Sequence, residues 1–229
     1  MTVSFGKEGA RAVIITGVRT PFLRSFGAFT PLNTIALGTI VVQELLKRTE
    51  LKPEAIDGVI WGGVVLPSAS VNIGREIVLD AGLPRTIEAT TVTRACTSGL
   101  KAITQAVAMI ERGEADVIIA GGSDSTSNAE VTMPPSLVHK AAPVVLSGKS
   151  GVKDYFRLLT KLSIRHDLIP SRPSVRERST GELMGEAAER MAELNGISRE
   201  AQDAFTLQSH QRAATAIKEG ILTKEIVPV

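Results

Sequence analysis

One cysteine, one tryptophan, one tyrosine and six phenylalanines serve all 229 residues, and each scarcity closes off a class of answers. With Cys96 alone no intrachain disulfide can form, so the chain is not a disulfide-stapled secreted module. Aromatics at 3% leave the core to Leu, Ile, Val and Ala within a hydrophobic content of 43%. That is enough for one sizeable core or two smaller ones. No apolar run approaches the ~18 residues needed to cross a bilayer. Residues 1–10 (MTVSFGKEGA) lack the apolar centre of a secretory signal. These two absences predict a soluble, cytoplasmic chain. A formal net charge of +2 gives no argument for nucleic acid. There is no H-E-x-x-H, paired-Cys, P-loop or G-x-G-x-x-G pattern, and His139, His166 and His210 share no metal-ligand spacing. No metal and no nucleotide cofactor is therefore expected.

What is present is an alternation of strand and helix patterns over the first 122 residues. Arg11 to Val18 reads as a buried strand. Asn33 can cap a helix running to about Thr49, with Ile35, Leu37, Val41, Val42, Leu45 and Leu46 on one side. Val59 to Val65 reads as a second strand, and Asn72 to Ala81 as a short helix stopped by Gly82 and Pro84. A third strand spans Glu88 to Arg94. Leu100, Ile103, Ala106, Val107 and Ile110 then form a helical stripe that Gly113 ends, and Asp116 to Ala120 is a fourth strand. Units of this length predict an α/β layered domain, with parallel strands covered by helices on both faces.

After Ser123 the pattern changes. Residues 123–180 hold Ser, Pro, Lys and Arg with short apolar runs, which predicts an insertion rather than more sheet. Helices follow from Thr180 to about Leu194 and from Ser198 to about Glu219, with Ser198 as N-cap and Gly220 at the end. The final residues, Glu225 to Val229, read as a β-like run with nothing after it, as if the chain were cut there. An open sheet cut in this way predicts self-association or a complementary half.

Cys96 falls between a strand and a helix, which places its sulfur at a helix N-terminus. Backbone N–H groups and the helix dipole favour an anion there, and can stabilise a developing oxyanion. Thr97, Ser98 and Gly99 are small enough to let a bulky acyl thioester approach. The competing reading is a buried Cys acting as a small hydrophobe. Gly121-Gly122-Ser123 marks a tight strand exit, with close backbone approach to Cys96 as a further reading.

The run from Val92 to Ile103 (VTRACTSGLKAI) resembles the nucleophile motif of the thiolase family, V-N-x-x-C-x-S-G-x-x-A. Other segments match in order: Arg19 to Phe22 (RTPF), Gly121 to Ser125 (GGSDS), Met184 to Glu189 (MGEAAE), and Arg199 to Phe205 with Ser209 to Ala213. Two more, Asn72 to Val78 and Ser179 to Gly185, look most like the β subunit of the trifunctional fatty-acid oxidation complex. The resemblance covers nearly the whole chain. It implies a thiolase-like layered αβα domain at residues 1–123, with a partial helical and loop lid insertion at 124–229, truncated before a C-terminal domain. It implies 3-ketoacyl-CoA thiolysis in β-oxidation, an acetyl-CoA C-acyltransferase activity with coenzyme A as substrate and no cofactor. Cys96 would take the acyl group, the Cys96 N–H would donate to an oxyanion hole, and Met184 would line the acyl pocket. It also implies acyl-CoA and coenzyme A as ligands, a homo-oligomer or complementary C-terminal half, and a β-oxidation partner subunit. Leu183 stands where many short-chain thiolases have His, which weighs against a short-chain assignment. The family's catalytic His, second Cys and an oxyanion-hole Asn belong to its C-terminal half. Two alternatives stay open: a non-catalytic half-thiolase serving as an assembly or acyl-CoA-binding subunit, and a condensing enzyme of the same superfamily.

One feature stands outside that pattern. Lys149, Lys153, Arg157, Lys161 and Arg165 recur every fourth residue, interleaved with Val152, Tyr155, Phe156, Leu159 and Leu162. Residues 149–178 hold eight Lys or Arg against three Asp or Glu, a local +5 against a chain total of +2. A basic amphipathic helix over 149–165 suits an anionic membrane surface, a partner subunit, CoA phosphates, or simply solvent over a packing stripe. Few aromatics are interleaved, which argues against nucleic acid.

Overall fold

In the computed structural model, residues 11–170 and 175–229 are described. The chain divides into two compact units. One consists of the described residues up to Ala129 together with Asp203–Val229; the other is Glu130–Gln202.

The first unit is built on three parallel strands, β1 (Gly58–Gly62), β2 (Glu88–Val92) and β3 (Ile118–Gly122), in the order β2-β1-β3. The α/β layered expectation holds. Side chains alternate along β1, so its two faces bury different partners. Val59 and Trp61, with Ile119 of β3, pack against Val42 of helix α1 (Thr34–Thr49) and against Ile73, Ile77 and Val78 of α2 (Ile73–Asp80). Ile60 faces the other way, onto Ala102 and Ala106 of α3 (Ser98–Glu111). Ile73 and Ile77 are fully buried, each side chain contributing about 1.5–3 kcal/mol.

Local signals set the helix ends. The Asn33 side chain accepts from Ala36 N at 2.8 Å, capping α1 as expected. Asn72 accepts from Arg75 N at the head of α2 and from the Thr91 hydroxyl at 2.8 Å, tying that helix start to β2. β3 begins two residues later than the sequence pattern implied. The reason is that Asp57 takes the N–H groups of Asp116 and Val117 at 2.7 and 2.9 Å, which holds its carboxyl below the usual range.

The expected strand at Arg11 to Val18 does not form. Residues 11–18 pair with no strand among the described residues, and Val13, Ile14 and Ile15 are 75–88% exposed. An apolar run becomes a strand only when it pairs with a neighbour's backbone groups, and the sheet pairings found are β1 with β2 and β1 with β3. The contact made is just beyond it, where Arg19 N donates to Glu225 O at 2.8 Å and Val227 N to Arg19 O at 2.8 Å. This is the single parallel bridge formed by the β-like C-terminal run.

The second unit is helical among its described residues. It holds α4 (Pro135–Val145), α5 (Val152–Lys161) and α6 (Met184–Leu194), and the start of α7 (Arg199–Lys218). α6 starts four residues later than Thr180, because Gly181 adopts φ +75° inside a turn closed by Glu177. The basic helix is also shorter than 149–165: Lys149 precedes α5, and Arg165 falls in a π-turn at Ile164–Leu168. Asp167 in that turn is fully buried, and its Oδ2 accepts from Lys140 Nζ at 2.8 Å and Ser163 N at 2.7 Å, stitching α4 to the end of α5.

The Lys140 ammonium, then the Ser163 N–H and the Ser136 hydroxyl, lower the Asp167 carboxyl from 3.8 to about 2. A depressed folded-state value gives stability that is complete above the unfolded value and lost as pH falls through the folded one. Wild-type protein is therefore expected to lose thermal stability between about pH 4 and 2 more steeply than Asp167→Asn. Identical pH slopes in calorimetry would contradict this.

Candidate active site

The turn that carries Cys96 is latched by its own small side chains. Ser98 is buried, and its hydroxyl accepts from Arg94 N and donates to Ala95 O, both at 2.7 Å. The Thr97 hydroxyl donates to Arg94 O at 2.9 Å. Main-chain bonds from Thr97 N to Arg94 O and from Ser98 N to Ala95 O close the same turn. Within it Ala95 is held at φ +45°, a left-handed conformation for a residue with a Cβ. Such geometry costs on the order of 1–3 kcal/mol and persists only where its surroundings enforce it. The turn sets Cys96 immediately ahead of α3 and leaves it exposed, which rules out the buried small-hydrophobe reading.

Strand ends close in on this turn from below. A Cβ on Gly62 would lie 2.5 Å from Ser98 C and 2.6 Å from Gly99 N, so the end of β1 touches the backbone of the first turn of α3. A Cβ on Gly122 would lie 2.9 Å from Gly62 O and 3.4 Å from Gly99 Cα. The Gly121-Gly122-Ser123 exit of β3 is thus both a tight strand exit and a close backbone neighbour of the Cys96 turn. Ser123 secures that exit by accepting from Trp61 Nε1 at 2.9 Å and donating to Thr34 O at 2.8 Å.

Above these contacts a cavity of about 240 Å³ opens beside Cys96, lined by Gly62, Val64, Ala95, Ser98, Gly99, Gly122, Ser123 and Asp124. On the Gly99 side a Cβ would meet nothing within 4 Å, so the space before the helix is open. An exposed thiol in a small-walled recess can be approached by a large electrophile. Met184 belongs to the other unit, where it is the first residue of α6 and 74% exposed. No cluster of His, Cys, Asp or Glu fit to hold a metal occurs among the described residues. Gly62, Val64 and Asp124 carry no functional signal in the sequence beyond the place of Asp124 inside the GGSDS segment.

The contact at Gly62 generates a direct test. Gly62→Ala must displace the backbone of α3, and overpacking of this kind costs roughly 1–3 kcal/mol. The variant is expected to unfold at lower denaturant than wild type and to change the rate at which iodoacetamide alkylates Cys96. An unchanged midpoint and unchanged alkylation would mean that the contact does not shape the site.

Comparison with known proteins gives a consistent result. Residues 12–229 match the family described as thiolase, N-terminal domain. The 3-ketoacyl-CoA thiolase of Aeromonas salmonicida is 40% identical over 220 residues, covering 96% of this chain and 50% of that protein. The 3-ketoacyl-CoA thiolase of Escherichia fergusonii is 40% identical over 221 residues with the same coverage. Among solved structures, the acetyl-CoA acetyltransferase of Bacillus anthracis superposes with a TM-score of 0.76 at 28% identity, over 96% of this chain and 50% of that one. A thiolase of Ascaris suum in complex with coenzyme A also gives 0.76 at 28%, over 93% and 50%. The chain spans about half the length of these relatives. With the nucleophile-motif turn in place and the match running from residue 12 to residue 229, this chain belongs to the thiolase family.

Proposed function

We propose that Cys96 is the acyl-accepting nucleophile of a 3-ketoacyl-CoA thiolase, acting in cytoplasmic fatty-acid β-oxidation with coenzyme A as substrate and no cofactor. The carrying observation is the exposed Cys96 thiol, set by a strained turn ahead of α3 and open to a small-walled cavity. Attack of the thiolate on the 3-keto carbon, with cleavage of the C2–C3 bond, leaves an acyl thioester on Cys96. The two-carbon fragment takes up a proton and departs as acetyl-CoA. A second coenzyme A thiol then displaces Cys96 and carries away the shortened acyl group. On the family resemblance, the Cys96 N–H donates to the developing oxyanion and Met184 lines the acyl pocket. The resemblance assigns the general base and the second Cys to the other half of the relatives.

A general base typically contributes ~10²–10⁴-fold. The 229-residue polypeptide is therefore expected to capture acyl groups from acyl-CoA stoichiometrically, without turnover. Mass spectrometry should find the adduct on Cys96, and Cys96→Ser should abolish it. Addition of a complementary thiolase half should restore thiolysis. No acylation, with acyl-CoA binding intact, would favour the rival reading of a non-catalytic assembly or acyl-CoA-binding subunit. The exposed apolar residues Val13, Ile14, Ile15 and Phe22 support a homo-oligomer or such a complementary half. A monodisperse monomer in sedimentation would remove that part.

A second surface supports a second contact. Val152, Phe156 and Leu159 are exposed along one side of α5, and Lys153, Arg157 and Lys161 form the adjoining sector. This pattern suits the surface of an anionic bilayer. Replacing the three cations by Glu is expected to abolish cosedimentation with phosphatidylserine vesicles while circular dichroism stays unchanged. Retained vesicle binding would sink the contact, and loss of a β-oxidation partner subunit instead would reassign the face to protein.

A further inference from the structure

We propose that Asp124 is a positioning residue for the Cys96 site, fixing the cavity wall and thereby controlling access of a bulky acyl thioester without altering the sulfur's own setting. The proposal rests on the reading of Cys96 as the acyl acceptor. Asp124 follows the glycine exit of β3, and its Oδ1 accepts from Val64 N at 2.9 Å and from Val65 N at 2.6 Å. Those two amides are the turn that leaves β1, and both Val64 and Asp124 line the cavity beside Cys96. Both bonds are charge-assisted, which makes them stronger than neutral ones.

The turn is also held from other sides. Gly63 N donates to Val92 O at 3.1 Å, and the Thr34 hydroxyl donates to Val65 O at 3.3 Å. Between these anchors Asp124 sets where the Val64 side chain, 47% exposed, stands over the recess. The turn at residues 94–98 is latched independently, by Ser98 and Thr97. Removing the Asp124 carboxylate therefore loosens one wall and leaves the nucleophile's turn intact. Access and intrinsic reactivity become separable.

Two probes of different size, used on the whole chain, test this separation. In Asp124→Ala, alkylation of Cys96 by iodoacetamide is expected to stay within about twofold of wild type. Acylation by decanoyl-CoA should slow by about tenfold or more, the scale of a lost hydrogen bond to a charged group. Asp124→Asn retains an acceptor oxygen and should recover most of the rate. Asp124→Glu keeps the charge but displaces the acceptor, so it should also slow acylation if the alanine variant fails to fold. Hydrogen exchange at the Val64 and Val65 amides should rise about tenfold in Asp124→Ala, by the same bond scale. Wild-type acylation in both the alanine and the glutamate variants would overturn the proposal, as would equal slowing of both probes. A wild-type chain that is alkylated but never acylated would instead sink the acyl-acceptor reading, and exchange at Val64 and Val65 would still decide the role of Asp124.

Discussion

Between Gly62 at the end of β1 and Ser98–Gly99 at the head of α3 there is no room for a methyl group, and the rest of the site is arranged around that contact. Parallel strands followed by helices normally keep side chains between sheet and helix. Here the side chains are removed at the crossing, and backbone meets backbone. The contact holds the first turn of α3 directly over the strand ends. It leaves the preceding turn little choice of path, and Ala95 accepts a left-handed conformation that it would avoid in isolation. Cys96 is consequently lifted to the surface of the sheet's carboxyl edge rather than folded into the core.

The contact holds only because its surroundings resist sliding. Trp61 is buried one residue before Gly62, its indole N–H bonded to Ser123 and its ring against Gly121, where a Cβ would lie 2.8 Å away. The same tryptophan thus fixes β1 laterally and requires a glycine in β3. Ser123 passes the restraint on to α1 through Thr34. A single aromatic anchor and the Ser123 hydroxyl thus hold the two glycine-bearing strand ends that border the cavity. None of these groups need react.

Much of this was legible in the sequence, and what was not has a physical reason. The helix capped by Asn33 was readable because a cap acts on amides three residues away, and the short helix after it was readable from its stop at Gly82 and Pro84. Two of the core strands were readable because a short apolar run between helix patterns has few other uses in a parallel sheet, and β2 because it is rich in Thr and Val. The strand at 11–18 was misread because its apolar content says that it should be buried, not by what. Pairing is a property of the neighbour, and the expected site of Cys96 survived this error since residues 94–98 make their own bonds. The positive φ of Ala95 left no trace in composition. The contacts of Asp124 and Gly62 were invisible for a related reason: they reach backbone atoms roughly sixty and thirty-six residues away, which no local periodicity encodes.

The division of labour within the proposed reaction follows from the same distinction. Presenting a thiol requires geometry that a turn, a helix end and two glycines can supply, and all of these lie in the first compact unit. Releasing an acyl group to a second thiol requires proton transfer at a defined position, and therefore a titratable group held against the sulfur. Among the described residues lining the cavity beside Cys96 the one charged side chain is Asp124, and its Oδ1 accepts from the Val64 and Val65 amides. A carboxylate that accepts from two loop amides holds one wall of the recess in shape. On the proposed function, what this recess contributes is capture and shape.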